Sequence, residues 1–542
     1  MKKIILILIT GSCLIWSFEK KPSEKPVNIV LIVADDLGYS DPGCFGSEIS
    51  TPNIDALARQ GQLFTNFYTA ATCSPSRAML LSGTDNHVAG LGNMAEHVVY
   101  FPQQVGKPGY EGHLNNKVIS IAQLLKDKGY HTYLSGKWHL GLTPEQSPTA
   151  KGFERSFALL DAYANHFHPD VQANPFWEDG YYTGYPKGKY SSDLYTDKMI
   201  SFIKKDHSDN KPFFLYAAYT APHWPLQAPP EFIEKYKGKY DIGYDSLRAL
   251  RFIALKKKGL VADSVQLPAL PPLKGELYNA STRPLLPWTS LSKDEQRIEA
   301  RKMEIYAAMI DNMDYNIGRL LQFLKDIDEY DNTFFVFLSD NGPDVFELNE
   351  TPDKLNPYPD MGTSNSFIAY GPQWAHASSA VNRLYKGYCT EGGIHCPMII
   401  KLPYQQNGNA ITNAFITIMD LAPTFLDIAG GSYPSSYEGH AVVPYKGVSM
   451  LPFLNRKTKY VHDENYVMGW ELFGRCAVRK GKWKITKTEP PFGKGVFELF
   501  DMENDPTESH DLSRVYRGKY AEMLKEWKVY LKENGVILAE HQ

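Results

Sequence analysis

The chain is poor in the features that mark several large classes of protein. It has 6 cysteines in 542 residues, too few for a disulfide framework in a chain of this size. Lysine and arginine (57) nearly balance aspartate and glutamate (61), and a net charge of −4 gives no global basic field for nucleic acid or an anionic membrane. Internal repeats and low-complexity tracts are also missing. We therefore expect no nucleic-acid partner, and any anion-binding site must be local.

The sequence also lacks an apolar run long enough to cross a bilayer, which takes about 20 residues. It starts M-K-K-I-I-L-I-L-I-T-G-S-C, a short basic segment, an apolar run of signal-peptide length and then small residues. We predict export to the periplasm or cell surface, with residues 1–24 as signal peptide and tether. Cys13 after T-G-S fits a loose lipoprotein processing site, and a simple cleaved signal fits equally well. A lipid anchor at Cys13 is the one membrane contact expected.

What the chain does contain is an alternation of short apolar runs and helical patterns. The predicted strands are Asn28–Ala34, Thr132–Ser135, Phe213–Ala218, Phe334–Leu338 and Met398–Lys401. Helical spacing is seen at Val118, Ile121 and Leu125 before Gly129, and again from Ile305 to Leu324. The pattern predicts an α/β catalytic domain over residues 25–430, with a large, mainly parallel sheet sandwiched by helices.

Two further segments depart from that alternation. Residues 264–290 contain L-P-A-L-P-P-L and R-P-L-L-P-W, and we predict an ordered insertion packed on the domain because aromatic and apolar residues accompany the prolines. After Gly430, short segments separated by Gly and Pro are typical of antiparallel hairpins, and a polar helix begins at about Tyr516. Residues 431–542 are therefore predicted to be a small α+β domain with an antiparallel sheet.

Acidic and amide side chains end two of the predicted strands. Asp35 and Asp36 follow the first strand, and Asp340 and Asn341 follow the fourth. The carboxyl ends of parallel strands converge where open α/β sheets bind ligands, and an all-oxygen set suits a hard cation, calcium ahead of magnesium. Either pair alone is just as typical of a turn or helix cap.

Basic side chains follow the second and third strands. In G-K-W-H, alternation places Lys137 and His139 on the same side of an extended chain, where lysine can neutralise an anionic oxygen and histidine can act as a base. In T-A-P-H-W-P, prolines on both sides restrict the backbone around His223, which fits a histidine held for proton transfer. Taken singly, each is also typical of a polar surface.

One short motif connects these residues to a known family. Residues 72–83, T-C-S-P-S-R-A-M-L-L-S-G, resemble the segment that maturation enzymes read in type I sulfatases, formylglycine-dependent enzymes of the alkaline phosphatase superfamily. The motifs A-D-D-L-G-Y, G-K-W-H, T-A-P-H, S-D-N-G and K-G-Y-C-T-E-G-G follow in family order from Ala34 to Gly393, and the segments around them look like the bacterial arylsulfatase branch. The resemblance covers nearly the whole mature chain. It departs at His395, where the family pattern K-G-x-x-x-E-G-G-x-R-x-P usually has arginine, which puts the local packing in question.

The resemblance implies an alkaline phosphatase-like fold and hydrolysis of sulfate esters of phenols or carbohydrates. A maturation enzyme would oxidise Cys73 to formylglycine, whose hydrate attacks sulfur with one hydroxyl and expels sulfate when the other is deprotonated. The implied cofactor is calcium, ahead of magnesium, held by the following residues: Asp35, Asp36, Asp340, Asn341 and residue 73.

The same resemblance implies a role for each basic residue. Lys137, Lys386 and His223 would bind the sulfate, and Arg77 would lie near the hydrated aldehyde. His223 would protonate the leaving group, and His139 would deprotonate the second hydroxyl.

Four alternatives stay open at this point. Cys73 alone is also typical of an ordinary buried thiol, and an unoxidised chain would be a binding protein for sulfated glycans. A phosphonate monoester or phosphodiester hydrolase of the same superfamily would use the same residues. Cys389 and Cys396 could pair. The aromatic stretch from Tyr163 to Tyr190, with His166, His168 and Trp177, is either simple packing or a rim that stacks on a substrate ring.

Overall fold

A large sheet of mostly parallel strands forms the centre of the structure. The structure is a computed structural model that describes residues 25–170, 175–270, 286–346, 357–406 and 408–539. The strands of this sheet are β1 (Asn28–Ala34), β2 (Gln62–Tyr68), β3 (His131–Lys137), β4 (Arg155–Leu159), β5 (Phe176–Glu178), β6 (Tyr181–Thr183), β7 (Phe213–Ala218), β8 (Thr333–Ser339), β9 (His395–Lys401), β10 (Ala410–Thr412) and β11 (Ile416–Thr417). They lie in the order β10-β2-β9-β8-β1-β7-β3-β4-β5-β6, and β11 pairs with β2.

All five predicted strands are confirmed, as β1, β3, β7, β8 and β9. The central strands β8, β1, β7, β3 and β4 are parallel to their neighbours within that group, whereas β9 is antiparallel to both β8 and β2. Every residue of β1 is buried. Its alternate side chains enter two separate hydrophobic clusters, Val30 and Ile32 on one face and Leu31 and Val33 on the other. A sheet with helices on both faces needs continuous apolar strands of this kind.

The helices of the described residues cover both faces of the sheet. They are α1 (Pro52–Gln60), α2 (Cys73–Ser82), α3 (Asn86–Ala89), α4 (Ile121–Asp127), α5 (Ser191–Asp206), α6 (Pro230–Glu234), α7 (Gly243–Lys257), α8 (Lys293–Asp326), α9 (Gly371–Ser378), α10 (Glu391–Ile394), α11 (Leu421–Ile428), α12 (Leu451–Leu454) and α13 (Arg517–Asn534). The three predicted helices are present: the two of the α/β domain as α4 and α8, and the polar helix predicted from about Tyr516 as α13. Ser120 caps α4 by accepting from Ala122 N, and Gly129 just beyond its end has a φ of 84°, the left-handed conformation that favours glycine.

The chain beyond the large sheet forms two smaller sheets. A hairpin pairs β12 (Ser436–Tyr437) with β13 (His440–Ala441), and an antiparallel sheet contains β14 (Val467–Leu472), β15 (Arg475–Lys480), β16 (Trp483–Lys487) and β17 (Glu498–Asp501). Val478 and Ile485 pack with α13, whereas Met468 and Trp470 join a cluster of the large sheet. The predicted α/β class with a C-terminal antiparallel sheet is therefore confirmed, and the domain limits stay predictions.

Some predictions lie outside the described residues. They include the signal peptide, Cys13 and the larger part of the proline-rich insertion, residues 271–285. Within the described ranges, none of the helices has the length and apolar character that crossing a membrane requires.

Candidate active site

The structure brings the predicted site residues together at the carboxyl edge of the central strands. Asp35 and Asp36 directly follow β1, Lys137 ends β3, and Asp340 and Asn341 follow β8. Cys73 begins α2, and the loops after β7 and before α10 supply His223 and Lys386. We call one buried set the catalytic floor: Asp35, Asp36, Cys73, Arg77, Lys137, Asp340 and Asn341.

The C-S-P-S-R motif forms the first turns of α2. Ser76 Oγ accepts from Ala70 N at 3.0 Å, which closes the loop between β2 and the helix. Pro75 fits in the first turn, where its missing N–H has no helical partner to lose. Four residues separate Cys73 from Arg77, so both lie on one helix face, and both are buried. The helix thus presents the thiol and the guanidinium to the same buried cluster.

Arg77 ties the ends of three strands together. Its Nε donates to Asp340 Oδ2 at 2.9 Å, and Nη1 donates to the Lys137 carbonyl at 2.9 Å. Nη2 forms an ion pair with Asp340 Oδ2 at 2.7 Å. Nη2 also lies 3.7 Å from Asp35 Oδ1. A buried guanidinium with several acceptors holds fixed charge in place, since its planar donors are pre-organised.

The lysines pair with the two carboxylates that follow β1. Lys137 Nζ lies 2.7 Å from Asp35 Oδ2, and Lys386 Nζ lies 2.8 Å from Asp36 Oδ2. Burial raises the pKa of Asp35, but Lys137 and Arg77 outweigh it, and the net pKa is lowered. For Asp36, burial raises the pKa well above its usual range against the effect of Lys386, and neighbouring Asp344, Asp35 and Asp340 add to the rise. The ionised form of Asp36 is therefore disfavoured mainly by burial.

The donor atoms of the floor fit a hard cation. Asp35 Oδ1 and Asn341 Oδ1 are buried and have no hydrogen-bond partner among the described residues, and such orphaned acceptors are costly unless something binds them. One ligand atom each from Asp35, Asp36, Cys73 and His223 lies within 4.8 Å of the others. Carboxylate and amide oxygens are the ligands that Ca²⁺ takes in proteins. Asp340 belongs to the same cluster, because Arg77 contacts its carboxylate and Asp36 N donates to its Oδ1 at 3.3 Å.

Cys73 lies at the boundary between the floor and an open cavity. Its Sγ is 3.8 Å from Asp36 Oδ1, and the side chain is buried. Burial raises the pKa of this thiol well above its usual range, although Lys137 and Lys386 act in the opposite direction. Because the thiolate is the nucleophilic form of cysteine, the unmodified side chain is a poor nucleophile here.

The two predicted histidines line the same cavity as Cys73 and have different partners. His223 Nδ1 lies 2.6 Å from the Trp224 carbonyl, which fixes its proton on Nδ1, and Nε2 points to Asp36 Oδ2 at 3.4 Å. Burial lowers the pKa of His223 well below its usual range, and Lys386 and Lys137 lower it further. His139 has a φ of 56°, and its Nε2 lies 3.2 Å from Glu96 Oε1. Its Nδ1 is buried and has no partner in the described part of the chain.

A cavity of about 430 Å³ opens above the catalytic floor. Cys73, His139, His223 and Lys386 line its inner end. The remaining lining residues are Thr72, Met94, Glu96, His97, Asp161, Ala162, Tyr163, Trp224, Asp344, Val345, Phe346, Gly387, Tyr388, Phe473 and Arg475. A volume of this size suits a ligand of one or two rings.

Sequence reasoning missed two acidic residues of this site. Asp344 accepts from Lys386 Nζ at 2.9 Å and from Trp224 Nε1 at 3.1 Å. Its position three residues beyond Asn341, in S-D-N-G-P-D, is the signal that could have found it. Glu96, which contacts His139, lies in a loop after α3 and carries no motif. Of the aromatic stretch, Tyr163 lines the cavity, whereas Trp177 belongs to strand β5, between β4 and β6, and does not.

Two open questions about single residues have answers in the structure. His395 Nε2 lies 2.9 Å from the Thr65 carbonyl, Nδ1 lies 3.2 Å from Asn382 Oδ1, and the ring packs on that of Tyr39. A histidine thus fills this place in contact with Thr65, Asn382 and Tyr39. Cys389 and Cys396 are both free thiols.

Comparison with known proteins gives consistent results along the whole chain. The family described as Sulfatase matches residues 27–432, and that described as N-sulphoglucosamine sulphohydrolase, C-terminal, matches residues 383–535. An uncharacterized sulfatase of Schizosaccharomyces pombe is 43% identical over 547 residues, 96% of each chain. An arylsulfatase of Klebsiella aerogenes is 37% identical over 442 residues, 79% of this chain and 91% of that protein. The crystal structure of Ps i-CgsB in complex with k-i-k-neocarrahexaose has a TM-score of 0.67 and 25% identity and covers 95% of both chains.

Proposed function

The chain belongs to the sulfatase family and is a sulfuric ester hydrolase, and from this premise we propose that it cleaves sulfate monoesters through formylglycine at position 73 and a bound calcium ion. The observation that carries the proposal is the position of Cys73. It is the buried side chain where the cation-compatible floor meets the cavity, with Sγ 3.8 Å from Asp36 Oδ1. Its raised pKa makes the thiol itself unsuitable as a nucleophile.

Conversion of Cys73 to formylglycine by a maturation enzyme would replace the thiol with an aldehyde, whose hydrate carries two hydroxyls. The first provides the nucleophile, and the second allows sulfate to leave. Calcium, when bound by Asp35, Asp36, Asp340, Asn341 and residue 73, would polarise a sulfate oxygen and stabilise negative charge on the nucleophile. Overall, water is added across the bond between sulfur and the ester oxygen.

The lysines and Arg77 hold charge where the reaction needs it. Lys386 lines the cavity and bridges Asp36 and Asp344, so its ammonium faces the position of the sulfate. Lys137 is fully buried behind Asp35. Arg77 keeps Asp340 and the end of β3 in place. Fixed positive groups of this kind stabilise developing negative charge without reorganisation.

The histidines divide the proton transfers. His223 donates from Nδ1 to the Trp224 carbonyl, so Nε2 is the atom that can hold a proton for the departing oxygen. His139 is bound to Glu96 through Nε2, so Nδ1 is the atom that can accept a proton from the second hydroxyl. Each histidine has one ring nitrogen engaged by its own partner, so acid and base catalysis are assigned to separate residues of one site.

The test compares mature and immature protein on several esters. Protein produced with a formylglycine-generating enzyme is expected to release sulfate from 4-nitrophenyl sulfate, and to lose that activity with a chelator and regain it with Ca²⁺. Protein produced without that enzyme is expected to be inactive. Faster hydrolysis of an aryl phosphonate or phosphodiester than of the aryl sulfate would instead identify the other hydrolase of the superfamily. Tight sulfate-ester binding without turnover by the mature protein would identify a binding protein.

A further inference from the structure

The outer part of the cavity has an apolar side. We call Tyr163, Trp224 and Phe346 the aromatic wall. Trp224 stacks on Phe346 with centroids 4.5 Å apart and packs against Tyr163 at 4.2 Å. The Trp224 indole also donates to Asp344 at 3.1 Å, which fixes the ring. The wall begins next to His223, whose ring lies 4.8 Å from that of Trp224. A flat group attached to the ester oxygen would therefore meet the wall as soon as it extends past His223.

The cations that line the cavity are already paired. Among the described lining residues, the lysine and arginine side chains are Lys386 and Arg475. Lys386 binds Asp36 and Asp344. Arg475 binds Glu489 at 2.6 Å and lies over the ring of Tyr388 at 3.7 Å from its centroid. Neither is placed to accept an additional anionic group on the leaving-group side.

The other charged groups there are acidic. Glu96 and Asp161 line the cavity, and the Glu96 side chain is 36% exposed. Burial raises the pKa of Glu96, but His139 outweighs it, so this carboxyl stays ionised. His97 also lines the cavity, and burial lowers its pKa to about 4, which makes it neutral at pH 7. The cavity therefore combines an aromatic wall with two further carboxylates, Asp161 and Glu96, the second of which is paired with His139.

From this arrangement we infer that the leaving-group subsite takes a flat phenol or sugar that is neutral or carries an ammonium group, and that it rejects leaving groups with a second negative charge. The inference rests on the proposed function and names its substrate class. Aromatic faces stack on rings and attract cations, whereas carboxylates accept hydrogen bonds from hydroxyl or ammonium groups and repel anions. A singly sulfated compound fits this subsite, and a polyanionic glycan does not.

Three phenyl sulfates of matched reactivity test the inference: 4-ethylphenyl sulfate, tyramine O-sulfate and 3-(4-sulfooxyphenyl)propanoate. Their phenols have nearly the same pKa, about 10, so differences in kcat/KM report the charge at the far end of the leaving group. We expect the carboxylate compound to be at least about tenfold poorer than the ethyl compound, and tyramine O-sulfate to equal or exceed it. High salt should reduce the spread, since exposed charges are screened.

Variants connect the discrimination to the two carboxylates. Asp161→Asn and Glu96→Gln are each expected to narrow the ratio of the ethyl to the carboxylate compound, whereas Asp263→Asn, an exposed aspartate outside the cavity, should leave it unchanged. Both compounds react through the same catalytic residues, so a change in catalysis through His139 alters both kcat/KM values alike and leaves their ratio unchanged. If the wild-type protein hydrolyses the carboxylate compound as well as the ethyl compound, the inference is wrong while the sulfatase proposal stands. If the mature protein hydrolyses neither these three compounds nor any other sulfate ester, the proposed function itself fails.

Discussion

The catalytic floor and the aromatic wall differ in how they are built and in what they can specify. Side chains of the floor follow the ends of three central strands and the first turns of one helix, and its charges are buried and paired. The wall comes from three separate loops, at Tyr163, Trp224 and Phe346, and these residues are only partly buried. Residues held rigidly at strand ends suit a reaction that many enzymes share, whereas residues on loops suit the selection of one substrate over another. Changes to the floor should therefore remove activity on all substrates, and changes to the wall should alter preference.

The largest expected effect is that of Cys73→Ala. The variant is expected to fold with an unchanged melting temperature, because little core volume is lost, and to have no measurable sulfatase activity on any ester. Cys73→Ser should also be inactive where the maturation enzyme accepts only cysteine. If the alanine variant had wild-type activity, Cys73 would not supply the nucleophile. The distinction between floor and wall would then fail.

His223 is at the border of the two regions, and the decrease in rate that its removal causes should depend on the leaving group. His223→Ala is expected to slow esters of sugar alcohols by about 10²- to 10⁴-fold and activated aryl sulfates much less, because a good leaving group departs without a proton. His139→Ala should slow all esters alike. The measurement is log kcat/KM against leaving-group pKa for each variant, with His207→Ala as an exposed control. Equal slopes for the His223 and His139 variants would contradict the division of roles.

Asp340→Ala tests the cation and the packing of the floor together. We expect kcat/KM to fall about 10²-fold or more, because a bound metal supplies several kcal/mol of charge stabilisation. The melting temperature should also fall, because the buried Arg77 guanidinium loses its hydrogen bond and its ion pair with Asp340 Oδ2. Asp326→Ala, at the exposed end of α8, is the matched control. Unchanged rate and melting temperature, both in the variant and with chelator, would show that the cation assignment is wrong.

The grouping of the floor residues could be predicted from the sequence because they follow strands whose apolar pattern is clear, and their roles stay predictions. Asp35, Lys137 and Asp340 each stand at or just beyond the end of a confirmed strand, so parallel pairing alone brings them together. The wall could not be predicted this way. The contact between Trp224 and Phe346 joins loops 122 positions apart, and no periodic pattern records which loop faces which. The antiparallel direction of β9 could not be predicted either, because the direction of a strand depends on its connection to the sheet and not on the strand's own residues.

Trp224→Ala should show the smaller, selective effect expected of the wall. Loss of the ring is expected to raise KM for aryl sulfates by about 3- to 10-fold, the value of one aromatic contact, and to change kcat less. The backbone carbonyl that holds His223 is retained in this variant. Trp177→Ala, on strand β5 away from the cavity, is the matched control. A uniform loss of kcat on all esters would show that Trp224 belongs functionally to the floor.

A change outside both regions should affect stability without affecting the rate. His87 is buried between Asp85 at 2.9 Å and Glu471 at 3.3 Å, and despite burial these partners raise its pKa to about 9. A raised histidine pKa stabilises the folded state below the unfolded value of about 6.5, and the contribution is lost as pH rises through 9. His87→Gln should therefore lower the melting temperature at pH 6 more than at pH 10, with kcat/KM unchanged. An equal loss at both pH values would contradict the charged pair.

The most direct test of the central claim is the mass of the peptide that contains residue 73, measured beside sulfatase activity in samples of different maturation. The account predicts that the CH₂SH group of Cys73 is replaced by an aldehyde or its hydrate, and that activity rises in proportion to the converted fraction. Full activity in a sample whose residue 73 is entirely an unmodified thiol would contradict it.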